Sequence, residues 1–356
     1  MRHTDPKMNR LMQIVLLAAV GCVCASSPST RGQQPAATDK PAAKAPAAKP
    51  SATVSGPVAG QKTFANADEA ADALIAAAND FNQDEMIKIF GPSVEKLIFS
   101  GEPAQDREHA AAFAAKAQQK KSVSADPKNK NRYFLVIGDN DWPFPVPIVK
   151  SGSKWFFDTK AGQKELLYRR VGENELDAIS VCHGYVDAQY DYAFRQRQAY
   201  EPSQFAQRII STPGNQDGLA WQNADGTWDG PVGEKVAKAI EQGYEEKLNP
   251  YHGYYFKILK GQGPAAPLGK LNYVVKGAMI GGFALVAAPA EYRVTGVRTF
   301  IVSQDGVVYE KDLGPTTLDQ FKSMDLFNPD KSWDPVEDDY SGDQGATTAT
   351  AGTTQM

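Results

Sequence analysis

Residues 26–60 are built almost wholly from Ala, Pro, Ser, Thr, Gly, Gln and Lys, with scarcely a large apolar side chain. Such a stretch cannot bury enough surface to offset the entropy of ordering it. Any folded body must therefore lie beyond it. Prolines at 28, 35, 41, 46, 50 and 57 favour extended backbone, so residues 22–60 read as an Ala/Pro-rich spacer. The other end behaves alike, because residues 334–356 carry five acids and no base and finish in Gly, Ala, Thr and Gln. An acidic tail without a core is expected there, and the folded part is confined to 61–333.

Ahead of the spacer, Arg2, Lys7 and Arg10 precede an apolar run over 11–20 interrupted only by Gln13. This is the pattern of a secretory signal segment over 1–21. The run is too short for a membrane-spanning helix, which needs about 20 apolar residues. Ala19-Val20-Gly21-Cys22 then resembles the bacterial lipobox, in which a Cys is lipidated and becomes the mature N-terminus. Ala19 stands where Leu is usual. Cleavage after Ala25, with Val23 and Ala25 as the small residues, is the competing reading. The expectation adopted is lipidation at Cys22 and an exported, periplasmic or cell-surface protein whose partner is a membrane, reached through that anchor.

The 356 residues have a formal charge of −4, with 42% hydrophobic and 22% charged residues. That composition suits a folded soluble body and supplies no net positive field for nucleic acid. Two units are expected in succession. In 61–170, Asn66 with Glu69 and Asn82 with Glu85 are capping signals for helices over about 67–80 and 82–90. A helical turn at 93–99 and an Ala-rich helix at 104–120 follow. The period then changes to short branched and aromatic runs at 133–137, 144–149 and 154–157, which read as antiparallel strands. In 171–333, a long helix over 173–198 carries Leu176, Ile179, His183, Val186, Tyr190 and Ala193 as its core stripe. A helix near 232–243 and strands at 251–259, 271–276, 282–288, 296–303 and 307–310 complete an α+β arrangement.

Helices followed by a curved meander suit the cone fold of the nuclear-transport-factor-two-like superfamily. Five motifs carry a closer resemblance: Asp141-Trp142-Pro143-Phe144-Pro145, Pro250-Tyr251-His252-Gly253-Tyr254-Tyr255-Phe256, Gly281-Gly282-Phe283-Ala284-Leu285-Val286-Ala287, Pro289-Ala290-Glu291-Tyr292 and Asp305-Gly306-Val307-Val308-Tyr309-Glu310-Lys311-Asp312-Leu313-Gly314. Together they resemble the exported bacterial family catalogued as domain of unknown function 2950, over about 61–336. That resemblance implies boundaries and export, and no activity. The second unit is also similar to the globular domain of type IV pilins and pseudopilins, which set a long helix before a loop and an antiparallel sheet. Pilins polymerise through an N-terminal apolar helix whose place is taken here by another unit, so a pilin-like module and not a filament subunit is expected.

Residues with chemical potential are few, with three Cys and four His. Ser93-Val94-Glu95-Lys96 and Ser151-Gly152-Ser153-Lys154 satisfy S-x-x-K, but the companion motif of penicillin-recognising enzymes is missing. Cys182 and His183 are helix neighbours about 100° apart and cannot pair with each other. His183 reads as a core histidine and His252 as a turn residue or proton carrier. Asn223, Asp225 and Asp229 have oxygens suited to calcium but not the spacing of its helix-loop-helix site, so a polar turn is expected. No catalytic residue, metal ligand or cofactor is assigned.

The candidate ligand surface read from sequence comprises Trp142, Phe144, Trp155 and Phe157 in the first unit, and His252 and Tyr254 in the second. The inward set of the first unit lines a pocket if the sheet curves round a cavity and is plain core otherwise. His109 enters only with the carrier or hydrolase alternative, near that cavity. Alternation sets Trp155 and Phe157 on one face and Phe156 on the other. The functional expectation is a binding or envelope-assembly accessory that meets an envelope protein or cell-wall partner. The alternative is a small-ligand carrier or hydrolase using a cavity in the first unit.

Overall fold

The computed structural model describes residues 56–94, 98–99, 102–196, 202–234, 236–238 and 249–337. Cys22, Ala25, the signal segment, nearly all of the spacer and the tail from 338 lie outside them. The chain divides into two compact units, at 168/169. Both are mixtures of helix and antiparallel sheet, so the fold class is α+β.

In the first unit, α1 spans Ala67–Asn79 and opens as the capping signal demands. The Asn66 side chain accepts from the Glu69 N–H (2.7 Å), and the Glu69 carboxylate accepts from the Ala65 N–H (2.9 Å). Ala70, Ala71, Leu74, Ala77 and Ala78 supply its buried face. Helix α2, Gln83–Phe90, repeats the arrangement through Asn82, which accepts from the Glu85 N–H at 3.1 Å. A 3-10 turn at Pro92–Val94 stands where a helical turn over 93–99 is expected. Residues 95–97 lie outside the described set. Helix α3, Pro103–Gln119, starts with Pro where a missing N–H costs nothing.

The sheet consists of β1 (Lys121–Asp126), β2 (Asn129–Ile137), β3 (Trp142–Pro143), β4 (Ile148–Ser151) and β5 (Lys154–Phe157). Its order is β1-β2-β4-β5, with β3 beside β2 and Phe64 bridged to Trp155. Strand β1 is not expected from the sequence: Lys-Ser-Val-Ser-Ala-Asp is polar because it is an exposed edge strand, with only Asp126 buried. The aromatic run expected as one strand over 144–149 instead reaches the sheet at Ile148, and Phe144 and Val146 turn into the core.

Asp126 closes the β1–β2 hairpin. Burial works against its charged form, but the Lys128 N–H (2.7 Å) and the Arg132 guanidinium outweigh that and hold its carboxyl below the usual carboxylate range. A lowered folded pKa contributes stability that is complete above about pH 4 and is lost as pH falls through the folded value. Asp126→Asn is therefore expected to flatten the acid limb of the stability curve. Urea midpoints at stepped pH check this, and an unchanged acid limb would contradict it.

The second unit hangs on α4, Thr159–Gln196, whose first turns belong to the first unit. It begins well before the expected residue 173. A Cβ on Gly162 would lie 2.5 Å from Val146 Cγ2, so the glycine serves close packing within the helix. The expected core stripe holds in part: His183 and Val186 are buried and Ile179 packs against the core, but Leu176 and Tyr190 are exposed. A further buried row runs through Ala178, Cys182, Tyr185, Gln189, Tyr192 and Gln196. Small and amide side chains make up four of the six residues of that row, which conceals it from a search for large apolar residues.

Strands β6 (Arg208–Ile210) and β7 (Gly218–Gln222) pair in parallel, and β8 (Trp228–Asp229) joins β7 antiparallel. Glu234 and 236–238 are helical, Val232 and Gly233 precede the helix, and residues 235 and 239–243 of the expected 232–243 helix lie outside the described residues. The main sheet contains β9 (Tyr254–Leu259), β14 (Ala284–Pro289), β15 (Arg298–Ser303), β16 (Val308–Asp312) and β17 (Asp334–Pro335). Two-residue ribbons β10 (Gly261–Gln262) with β11 (Leu271–Asn272), and β12 (Val274–Val275) with β13 (Ala278–Met279), occupy the β9–β14 connection, and helix α5 spans Thr317–Ser323. The main sheet order is β17-β16-β15-β14-β9, antiparallel throughout. All six residues of β14 are buried, as its near-continuous apolar sequence requires. Asp334 and Pro335, assigned by sequence to the acidic tail, pair with Glu310 and Tyr309 as an edge strand. A proline is tolerated at such an edge because its missing N–H interrupts no central ladder.

Candidate functional site

The second unit contains a groove of about 360 Å³. One wall is a face of α4 formed by Ser180, Val181, Gly184 and Tyr185, one helical turn apart in pairs. Ile209, Leu219 and Leu285 line it from strands β6, β7 and β14, and Pro231, Val232, Gly233 and Val236 from the segment after β8. Gly184 keeps the helix wall low, because a Cβ placed on it would meet nothing within 4 Å. The shape is fixed from behind by Gln189, which is fully buried. Its amide donates to the Ala206 carbonyl (2.8 Å) and the Tyr185 hydroxyl (2.9 Å), and its carbonyl accepts from the Ala206 N–H (2.8 Å). Apolar walls with a few hydroxyls, at this volume, are the usual make-up of a small-ligand or side-chain pocket.

Tyr251 also lines the groove, and it opens a two-residue turn. Tyr251 and Tyr254 exchange both backbone hydrogen bonds (3.0 and 2.9 Å), while His252 and Gly253 take positive φ of 47° and 76°. This is the hairpin turn that prefers Asn-Gly. Here histidine occupies the first position, and its Nδ1 is held by the Asp177 carboxylate of α4. His252 thus sits beside the groove, with its ring 4.3 Å from that of Tyr251. Tyr254 does not share that surface. It is fully buried, its hydroxyl donates to the Arg298 carbonyl (2.9 Å), and burial pushes its phenol pKa up, with the charges of nearby Glu175 and of Glu310 adding to the effect.

In the first unit the aromatic strip assembles as core. Phe157 and Phe144 are buried, and the Phe144 ring meets Phe113 (5.4 Å), Phe90 (6.1 Å), Trp142 and Phe157 (both 6.2 Å). Trp155 stands half-buried at the edge, against Tyr133 at 5.1 Å and with the Lys150 ammonium 5.8 Å from its ring. Register places Trp155 and Phe157 on one face and Phe156, opposite Val149, on the other. The neighbouring cavity, lined by Leu74, Phe81, Met86, Phe113 and Phe144 with the Asp106 side chain, is about 60 Å³. That is about two waters' share of liquid volume, well short of a ligand site. His109 is half-buried on α3.

The remaining motifs stay apart. Ser151 and Lys154 flank a hairpin turn with Gly152 at φ 61°, and Lys96 lies outside the described residues. Asp225 accepts from the Thr227 N–H (2.9 Å) and hydroxyl (2.6 Å), and Asp229 faces Arg195 at 3.5 Å, so both serve a polar turn. Among the described residues no three His, Cys, Asp or Glu side chains converge as metal ligands. His183 and Cys182 are buried, and burial pushes the Cys182 thiol well up, which suppresses the reactive thiolate. With Cys22 and Cys24 replaced by serine, the folded chain is expected to leave a thiol reagent such as dithionitrobenzoate unconsumed until denaturant is added. Rapid native labelling would contradict this burial.

The groove was not among the residues singled out from sequence. Its one legible signal is the pair Ser180 and Gly184, small residues four apart on one helix face.

An α+β protein in two units, with a groove between helix and sheet in the second, is the class that fold and site define. Residues 61–336 match the model of a protein family of unknown function, DUF2950, and the chain belongs to that family. No curated protein and no solved structure matches the chain. The similarities to pilins and to the nuclear-transport-factor-two-like cone accordingly gain no support from solved structures. Among the described residues no helix is long and apolar enough to cross a membrane.

Proposed function

We propose that this chain is an exported protein, held to a membrane by lipid on Cys22, that binds a partner in the groove of its second unit. The observation that carries the binding reading is the groove itself: about 360 Å³, apolar walls, and the hydroxyl-bearing residues Ser180 and Tyr251 on its lining to orient an occupant. The signal pattern over 1–21 and the lipobox-like Ala19-Val20-Gly21-Cys22 support the export and the anchor. The partner is an envelope protein or cell-wall fragment that presents a short apolar group. A carrier or hydrolase working from the first unit is the weaker reading, because its cavity is about 60 Å³.

Native mass spectrometry of the chain purified from its own host tests the binding, and intact-mass measurement of the mature N-terminus tests the anchor. A bound species and an N-terminal acylated Cys22 are expected. A mature chain that starts after Ala25 would remove the anchor, and one that retains residues 1–21 would remove export. Gly184→Leu is the matching variant. Leucine favours the helix by about 0.5–1 kcal/mol over glycine and projects into open space, so thermal stability should hold or rise while the bound species disappears. Retention of that species in Gly184→Leu would place it elsewhere.

A further inference from the structure

The first unit is electrostatically divided. Its helical part, residues 61–119, carries ten acids and five bases, and its sheet part, residues 120–157, carries seven bases and three acids. Several bases of the second set are neutralised locally: Lys120 pairs with Asp141, Lys121 with Asp72, and Arg132 with Asp126. Lys128, Lys130, Lys150 and Lys154 are exposed and gather at one end of the sheet. The register requires this. Arg132 lies opposite Val149 and Tyr133 opposite Ile148, so the start of β2 runs beside the end of β4. The β1–β2 turn, with Lys128, and the β4–β5 turn, between Lys150 and Lys154, therefore project from the same end. Asp126, the carboxylate of that hairpin, is already occupied by Arg132 and by the Lys128 N–H.

The spacer enters at this same end. Gly56 is the first described residue, and a Cβ on it would lie 3.8 Å from the Ser151 hydroxyl oxygen, in the β4–β5 hairpin. Trp155 and Tyr133, half-buried beside Lys150, add ring surface of the kind that settles at lipid headgroups. A spacer of this length reaches roughly 100 Å when extended, so an anchor alone does not hold the unit against a surface. An attraction of its own would.

We propose that this basic sheet end docks on an anionic lipid surface and turns the first unit toward the membrane that the spacer leads to. The inference rests on the membrane-anchored reading for its biological setting, and its test does not depend on the lipid. The unlipidated chain 22–356, with Cys22 and Cys24 as serine, is sedimented with phosphatidylcholine vesicles with and without phosphatidylglycerol. Binding is expected only with phosphatidylglycerol and should fall as salt is raised. Each lysine neutralised should weaken partitioning about fivefold, so Lys128→Gln, Lys130→Gln, Lys150→Gln and Lys154→Gln together should weaken it by about several hundredfold. These exposed positions leave the melting temperature as an independent control of folding. Equal binding by the fourfold variant, equal binding to neutral vesicles, or binding to soluble polyphosphate as tight as to vesicles would each overturn the proposal. A mature chain cleaved after Ala25 would remove the anchor and leave the vesicle result standing.

Discussion

Gln189→Leu is expected to lower the stability of the second unit by about 2–6 kcal/mol. Leucine has nearly the volume of glutamine, so little space is lost. The Ala206 N–H and carbonyl, however, both lose their partner in a region where Ala206 itself has no exposure. Each stranded backbone group costs about 1–3 kcal/mol, and the Tyr185 hydroxyl loses the donor that fixes it beside the groove. A shift of the urea midpoint, followed by near-ultraviolet circular dichroism, measures the loss. An unchanged midpoint would show that the amide clamp is not what seats the segment before β6.

Phe283→Ala is expected to cost about 3–5 kcal/mol, by loss of transferred surface and the cavity left behind. Phe283 has no exposure, and its ring meets those of Phe205 (4.8 Å), Tyr190 (5.5 Å) and Tyr185 (5.7 Å) edge-on. The cluster ties α4 to the start of β14, so its removal should loosen the helix wall that carries Ser180 and Gly184. Denaturant unfolding gives the cost directly, and a loss below about 1 kcal/mol would mean that the surrounding rings close the gap. Phe283→Leu, which keeps most of the volume, should lose appreciably less.

How far these features were legible follows from where the chemistry is local. Asn66 and Asn82 announce α1 and α2 because capping is settled within four residues. The antiparallel strands of the main sheet are legible for the same reason, through branched runs such as Thr299-Phe300-Ile301-Val302 set between turns. Strand β1 is hidden because an exposed edge needs no apolar face. The start of α4 is hidden because the use of Gly162 becomes plain only when Val146, distant in sequence, packs on it. Part of the core face of α4 is hidden for a related reason: Gln189 is buried through a partner at Ala206, which no periodicity reveals.

The site was less legible than the fold. His252 drew attention as a lone histidine among tyrosines, and the structure gives it a defined place, held by Asp177 at the first position of a tight turn. Tyr254, two residues on and already in β9, turns into the core on the face it shares with the buried Phe256 and Ile258. Trp142, Phe144 and Phe157 are aromatic because the first unit's small core needs large side chains, and ring content alone does not separate that use from ligand contact. The groove is formed by α4, β6, β7 and the segment after β8, elements separated by up to about a hundred residues including Leu285, and no window of sequence contains it.

The central claim is that the groove of the second unit holds the partner. Photo-crosslinking in intact cells, with benzoylphenylalanine at Ser180 on the exposed helix rim and at the highly exposed Leu268 as a comparison site, tests it most directly. A single discrete adduct from position 180, missing at 268 and abolished by Gly184→Leu, is the expected result. Adducts of equal yield at both positions, or one at 180 that survives Gly184→Leu, would contradict it.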